Sequence, residues 1–177
     1  MKEIPVLLII GPVGVGKSTV ADAICEILTE RNIHHAVIDL DQLRYAYPRP
    51  STDRFHVALG YNNLAVIWKN YEAVGATRIV IPNVLEKKSN IKHIEEAVPG
   101  AKVIVVRLGA SLETIHDRLR GRPQSQKFLE WNLKRADELN ATLEREQLED
   151  YIVDTENKSI GEIAEEIVKK IGWLKEE

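Results

Sequence analysis

One cysteine, Cys25, stands among 177 residues, so no intrachain disulfide can form and a secreted disulfide scaffold is excluded. A reducing cytoplasm is the expected location. Cys25 falls within a helical apolar pattern and reads as a small buried hydrophobe. Cysteine and histidine nowhere share metal-ligand spacing. Membrane-length apolar runs are missing too: Ile4–Ile10 is too short to span a bilayer. A glycine-rich turn follows it rather than a small-residue cleavage site, so neither a span nor a signal peptide is expected. Positive charge is not in excess. Lys and Arg number 24 against 27 Asp and Glu, a net charge of −3, which argues against nucleic acid as the main partner. Low-complexity linkers and internal repeats are also absent. The 177 residues, 44% of them hydrophobic, suit one domain with a full core over residues 1–177, acting as a monomer or homodimer.

What is present is alternation. Ile4–Ile10 is a continuous apolar run, the mark of a central strand covered on both faces. Val20, Ala23, Ile24, Ile27 and Leu28 then repeat at helical spacing. Ala36–Leu40 reads as a second strand, and residues 41–60, with Pro48, Pro50 and Gly60, as a long excursion with at most a short helix. Leu64, Ile67, Trp68, Tyr71 and Val74 give a helix ended near Gly75. Strands at Arg78–Ile81 and Lys102–Leu108 flank a helix marked by Ile91, Ile94 and Val98. Ser111 caps a helix with Leu112, Ile115 and Leu119 inward. Gly121-Arg122-Pro123 breaks the pattern before a long polar helix from about Gln126 to Glu149. Its inner side carries Leu129, Leu133, Ala136, Asn140 and Leu143. Tyr151–Val153 is a fifth strand, and Ser159 caps a last helix on Ile160, Ile163, Ala164, Ile167, Val168 and Ile171. Such a chain predicts an α/β fold: a three-layer α/β/α arrangement on a five-stranded parallel sheet. Its chemistry belongs beyond the carboxyl ends of the strands.

Beyond the first strand lies Gly11-Pro12-Val13-Gly14-Val15-Gly16-Lys17-Ser18, a full G-x-x-x-x-G-K-[ST] in strand–loop–helix context. At ordinary residue usage a chance match in a chain of this length is on the order of 1%. Glycines let backbone N–H groups converge on one point, and the positive end of the next helix faces the same point. The loop therefore predicts a nucleoside triphosphate held by Gly11, Val13, Gly14, Val15, Gly16, Lys17, Ser18 and Thr19. Lys17 would meet the β- and γ-phosphates and Ser18 would ligate Mg²⁺. A dinucleotide fingerprint is the nearest competitor, because Asp39 lies near the ribose-binding distance. The glycine spacing is reversed from that fingerprint, and the Gly-Lys-Ser ending belongs to the phosphate loop.

With Gly11–Ser18, Asp39-Leu40-Asp41, the arginines of Arg118–Arg122 and Val153-Asp154-Thr155, almost the whole chain resembles the P-loop small-molecule kinases. That group includes shikimate, gluconate and adenylylsulfate kinases and the chloramphenicol phosphotransferase type. The resemblance implies ATP and Mg²⁺ as cofactors and a small-molecule acceptor. It implies that Asp39 orders the Mg²⁺ shell with Ser18, and that Asp41 orients or deprotonates the acceptor hydroxyl. It further implies a short lid over 118–127, with Arg118 at the adenine and Arg122 on the transferring phosphate. The loop Asp154-Thr155 would lie along the adenine edge. The plainer readings are turn and cap aspartates, a cationic helix end, and a generic strand-to-helix turn. Arg135 resembles a second lid arginine or a solvated helix charge. Acceptor recognition is expected in the segment 41–63, with Arg44 holding an anionic group or lying at the surface. Tyr47, Arg49, Asp53, Arg54, Phe55, His56, Asn62 and Asn63 are further candidates there.

One departure matters. The third strand ends at Pro82-Asn83 with no acid, where many phosphate-loop ATPases place a magnesium-linked aspartate. This argues against a motor ATPase and shifts that duty to Asp39, with Asn83 facing the acceptor. Catalysis lost altogether is the other reading of this departure. The leading expectation is thus transfer of the γ-phosphoryl group to a hydroxyl. The alternatives are a nucleotide switch or slow ATPase acting on a protein partner, and a polynucleotide 5′-hydroxyl kinase. No Asn-Lys-x-Asp segment favours guanine.

Overall fold

Only a strand covered on both sides can bury a run such as Ile4–Ile10, and that run is β1, the middle of the sheet. The computed structural model describes residues 2–174. Its other strands are β2 (Ala36–Val37), β3 (Ile79–Pro82), β4 (Ala101–Gly109) and β5 (Tyr151–Asp154), in the order β2-β3-β1-β4-β5. Every pairing is parallel, with Val6 opposite Ile79 on one side and Val103 on the other. The helices are α1 (Lys17–Glu30), α2 (Val57–Ala73), α3 (Ser89–Ala97), α4 (Leu112–Arg120), α5 (Gln126–Glu146) and α6 (Ile160–Lys170).

Alternation along β1 assigns its side chains to two cores. Ile4, Val6, Leu8 and Ile10 meet Leu64 and Trp68 of α2, Ile94 of α3 and Leu143 of α5. Leu7 and Ile9 meet Ile24 and Leu28 of α1 and Ile163 and Ile167 of α6. The result is the three-layer α/β/α arrangement. Trp68, 2% exposed, is the largest fully buried side chain, and its truncation to alanine would cost about 3–5 kcal/mol. A third cluster joins Ile115 and Leu119 of α4 to Ala136 of α5, with Val13 of the loop packed on it. The phosphate loop is thereby seated on α4.

Several boundaries differ from expectation, each for a visible reason. The second strand stops at Val37 rather than Leu40. Ile38 still donates to the Val80 carbonyl, but Asp39 then turns the chain by accepting the Asp41 and Gln42 N–H groups, 2.9 and 3.2 Å away. A single 3-10 turn follows at Gln42–Arg44. The excursion after it ends at His56, because α2 begins at Val57 and runs through Gly60. Asp53 caps it by accepting the Val57 and Ala58 N–H groups at 2.8 and 3.0 Å. Val74 lies past that helix and is exposed. Leu112 sits in the first turn of α4 and Ile160 in that of α6, where side chains overhang the core, so both are exposed. Helix α5 stops at Glu146, where Gln147 takes a left-handed φ of 46°. Its buried side includes Asn132 and Leu139 beside Ala136 and Leu143. Cys25 is half-buried, its Sγ 3.2 Å from His35 Nε2.

Candidate functional site

The loop between β1 and α1 is shaped by glycine. Gly11, Gly14 and Gly16 have φ of 152°, 92° and 108°. Gly14 admits no substitute: a Cβ there would stand 2.7 Å from Leu119 Cγ, in a conformation L-residues avoid. Gly16 precedes α1, which has no side-chain cap and no acidic residue in its first turn. By contrast α4, α5 and α6 start at Ser111, Ser125 and Ser159, each accepting a backbone N–H. The first-turn N–H groups of α1 lack intrahelical acceptors by geometry, and no residue of that turn is itself acidic. Such an end fits a phosphate.

Lys17 folds back over this loop, its Nζ donating to the carbonyls of Gly11 and Pro12 at 3.0 Å each. Burial of the ammonium lowers its pKa from 10.5 to about 8; Asp41 and Asp39 oppose that drop, while Arg122 adds to it. The next residue, Ser18, donates from Oγ to Asp39 Oδ2 at 2.9 Å. Two hard oxygen donors are thus paired beside the start of α1, a donor set of the kind that suits Mg²⁺. Among the described residues no three His, Cys, Asp or Glu side chains form a metal cage.

Asp39 and Asp41 diverge after the strand. Asp39 looks toward Ser18, and exposed Asp41 toward Arg44, which also donates to Asn83 Oδ1 at 2.8 Å and to the Leu40 carbonyl at 3.2 Å. Asn83, at the end of β3 where an acid was missed, is buried and donates its N–H to Ile9 O at 3.0 Å. Arg44 can approach because residue 60 is glycine: a Cβ there would lie 2.8 Å from Arg44 Cγ. Tyr61, absent from the sequence expectation, turns its hydroxyl toward Asn83 and Asn90, and burial raises its pKa above 10.0.

The expected lid is shorter in its irregular part. Arg118 and Arg120 belong to α4, Gln126 and Lys127 to α5, and Gly121–Ser125 joins them. Gln124 ties this joint down, donating to Leu119 O at 2.6 Å and accepting from buried Asn132 at 2.8 Å. Arg122 is exposed on it. Arg118 is held by three bonds: Nη1 to Val15 O at 3.2 Å and to Thr155 Oγ1 at 3.0 Å, and Nη2 to Thr155 O at 3.1 Å. Thr155 is buried and bonds Gly109, whereas Asp154 is exposed and accepts Glu156 N–H. The 118–155 contact joins the phosphate loop, α4 and the end of β5.

Within the segment 41–63, Tyr47 and Arg49 are exposed, Asn63 braces Leu43 O, and Asn62 and Tyr61 line a groove of about 520 Å³ between α2 and α3. Phe55 lies under Arg54 and under Arg135 of α5, whose guanidinium is 5.5 Å from the ring and pairs with Glu86 and Glu138. Sequence reasoning missed Glu86, Asn90 and Tyr61. Only their arrival beside residues far along the chain marks them, and no spacing in the sequence signals it.

No family model matches this chain, and no curated protein sequence matches it. Solved structures do. The Deinococcus radiodurans tunicamycin resistance protein superposes with a TM-score of 0.64 at 22% identity, over 96% of each chain. A gluconokinase from Sinorhizobium meliloti 1021 gives 0.62 at 21%, over 98% of this chain and 94% of that one. The Mycobacterium tuberculosis APS kinase, in complex with AMPPNP and APS, gives 0.62 at 18%, over 97% and 99%. Identity this low speaks for architecture, and the chain has the α/β fold of the P-loop small-molecule kinases.

Proposed function

We propose that this protein is a Mg-ATP-dependent kinase that transfers the γ-phosphoryl group to a hydroxyl of a small molecule. One observation carries the reading. At the uncapped start of α1, Lys17 and a Ser18–Asp39 pair 2.9 Å apart stand together behind a glycine loop. Backbone amides of Val13–Thr19 surround the phosphates, and Lys17 exchanges its two carbonyl partners for phosphate oxygens. Ser18 and Asp39 would hold Mg²⁺, which supplies charge neutralisation on the phosphates. Arg118, its edge fixed to Thr155 and Val15, presents its plane to adenine, with Asp154 and Thr155 along the base edge. Asn83 and Arg44 position the acceptor against Asp41. Its hydroxyl oxygen bonds to the γ-phosphorus as the bond to the β-bridging oxygen breaks. ADP leaves with that electron pair, and the Asp41 carboxylate takes the hydroxyl proton. Arg122 meets the charge spread over the transferring oxygens. Gly121–Ser125 serves as the lid, and residues 41–63 as the acceptor-binding part of one domain.

Solved structures of this fold include a gluconokinase and an APS kinase bound to AMPPNP, which supports nucleotide-dependent transfer to a small molecule here. Among the described residues no helix is long and apolar enough to cross a membrane. The test is a metabolite extract incubated with γ-labelled ATP and the purified chain. Label is expected on a small hydroxylated compound. Tight nucleotide binding with no labelled metabolite would favour a switch instead, and label on an oligonucleotide would favour the polynucleotide alternative.

A further inference from the structure

We propose that the acceptor is an uncharged, hydroxyl-bearing ring compound, a sugar or a nucleoside, recognised by aromatic faces and one buried histidine, with Arg44 already neutralised by Asp41 and so positioning it without taking up an anionic group. This rests on the kinase reading above.

The first observation is charge. Recognition of a carboxylate or phosphate needs a sheltered cation with nothing opposite it. Arg44 and Arg135 are the sheltered guanidiniums beside the acceptor segment, with side chains 14% and 16% exposed. Both are already matched, Arg44 by Asp41 and Asn83, and Arg135 by Glu86 and Glu138. An acidic acceptor would have to displace one of these carboxylates from its guanidinium or stand as a second negative charge beside it. A neutral acceptor asks for no such exchange.

The second is an aromatic surface. Phe55 sits under Arg135, and helical spacing puts Phe128 and Trp131 on the same side of α5 as Arg135. The two rings stack, 5.9 Å apart and 7° from parallel, yet remain 53% and 39% exposed. They begin directly after the lid joint Gly121–Ser125. Exposed stacked rings on the side that faces Phe55 make a wall for the flat face of a sugar or base.

The third is His56, the residue after Phe55. It is 8% exposed, holds a left-handed φ of 51°, and its Nε2 has no hydrogen-bond partner among the described residues. A buried, unsatisfied nitrogen on strained backbone is costly unless a ligand hydroxyl or amide completes it.

The test uses the full chain and matched acceptors differing only in charge: glucose against glucuronate, and adenosine against adenosine 5′-monophosphate. Transfer from γ-labelled ATP is expected to favour the neutral member by on the order of tenfold in kcat/KM. The sugar and nucleoside arms tell which ring is accepted. Glu86→Gln removes one of the two carboxylates that neutralise Arg135, so the ratio of kcat/KM for the acid to that for the neutral member of the preferred pair should rise several-fold. Preference for the acid in the wild type, or unaltered selectivity in E86Q, overturns the inference. Trp131 fluorescence, isolated by subtracting a Trp131→Phe variant, is read in Lys17→Ala protein without ATP, so that no transfer takes place. Saturable quenching there by glucose or adenosine, without transfer in the wild type, upholds ring recognition while sinking the kinase reading. Intact transfer without quenching by any neutral ring does the opposite.

Discussion

The two halves of the cleft are built from different material. The half assigned to the nucleotide is mostly backbone: three positive-φ glycines, an uncapped helix end and one lysine folded onto carbonyls. The half assigned to the acceptor is mostly side chains that meet across long sequence separations, Arg44 with Asn83 over 39 residues and Arg135 with Glu86 over 49. A backbone-built site is a local object, so every kinase on this fold can keep the same one. A side-chain-built site is a tertiary object, free to change with the acceptor while the sheet stays fixed.

The sharpest way to break this division is to remove one charge from each half. Lys17→Ala deletes the only side-chain cation inside the loop. It should lower kcat/KM for ATP by on the order of 10³-fold and weaken nucleotide binding, as seen by calorimetry. Asp41→Asn keeps the shape of its side chain but loses the proton acceptor. Transfer should fall roughly 10²-fold or more, with nucleotide affinity at pH 6.5 within about twofold of wild type. Equal loss of nucleotide binding in both variants would mean that the halves are not separable.

This division also explains what could be read from the sequence. The loop, the five parallel strands and the Ser111 and Ser159 caps rest on short-range rules of spacing and capping, so they were legible. Asp39 was set beside the loop by the resemblance to kinases with this D-x-D, and its side chain does meet Ser18 at 2.9 Å. Helix α2 was half-read: Gly60 looked like a breaker, when it is a helical position kept small for Arg44. Arg118 was placed at the start of a short lid, and three bonds tie it to Val15 and Thr155, which no spacing signals. Tyr61, Glu86 and the buried Nε2 of His56 left no local trace, because their meaning comes only from neighbours brought in by folding.

A pair of glycine substitutions sharpens the contrast at smaller amplitude. Gly14→Ala puts a methyl at positive φ against the packed Leu119 side chain. It should destabilise the chain by about 2 kcal/mol and weaken ATP binding, measured by denaturant unfolding and by titration. Gly60→Ala meets only the stem of Arg44, which can shift, and alanine favours the helix by about 1 kcal/mol. Stability should hold or rise while the acceptor KM increases several-fold, because Arg44 is pushed off Asp41 and Asn83. A matching loss of ATP affinity in G60A would contradict the division.

The smallest effect runs across the boundary. Burial holds the Lys17 pKa at about 8 against an ordinary 10.5, so the folded chain binds fewer protons than the unfolded one between those values. Stability should accordingly rise with pH through that window. Nucleotide binding runs the other way: phosphate needs the charged lysine, so affinity is full below about pH 8 and falls above it, by at most about tenfold per unit. Among the carboxylates that support the charged form, Asp41 acts most strongly, ahead of Asp39, although it belongs to the acceptor half. Removing it in D41N must lower the lysine pKa further, so the break in log Kd against pH should move to lower pH. An unmoved break would show that the acceptor-side carboxylate does not reach the phosphate lysine. A moved one would mean that an acceptor hydrogen-bonded to Asp41 is felt at the nucleotide before any phosphoryl group leaves it.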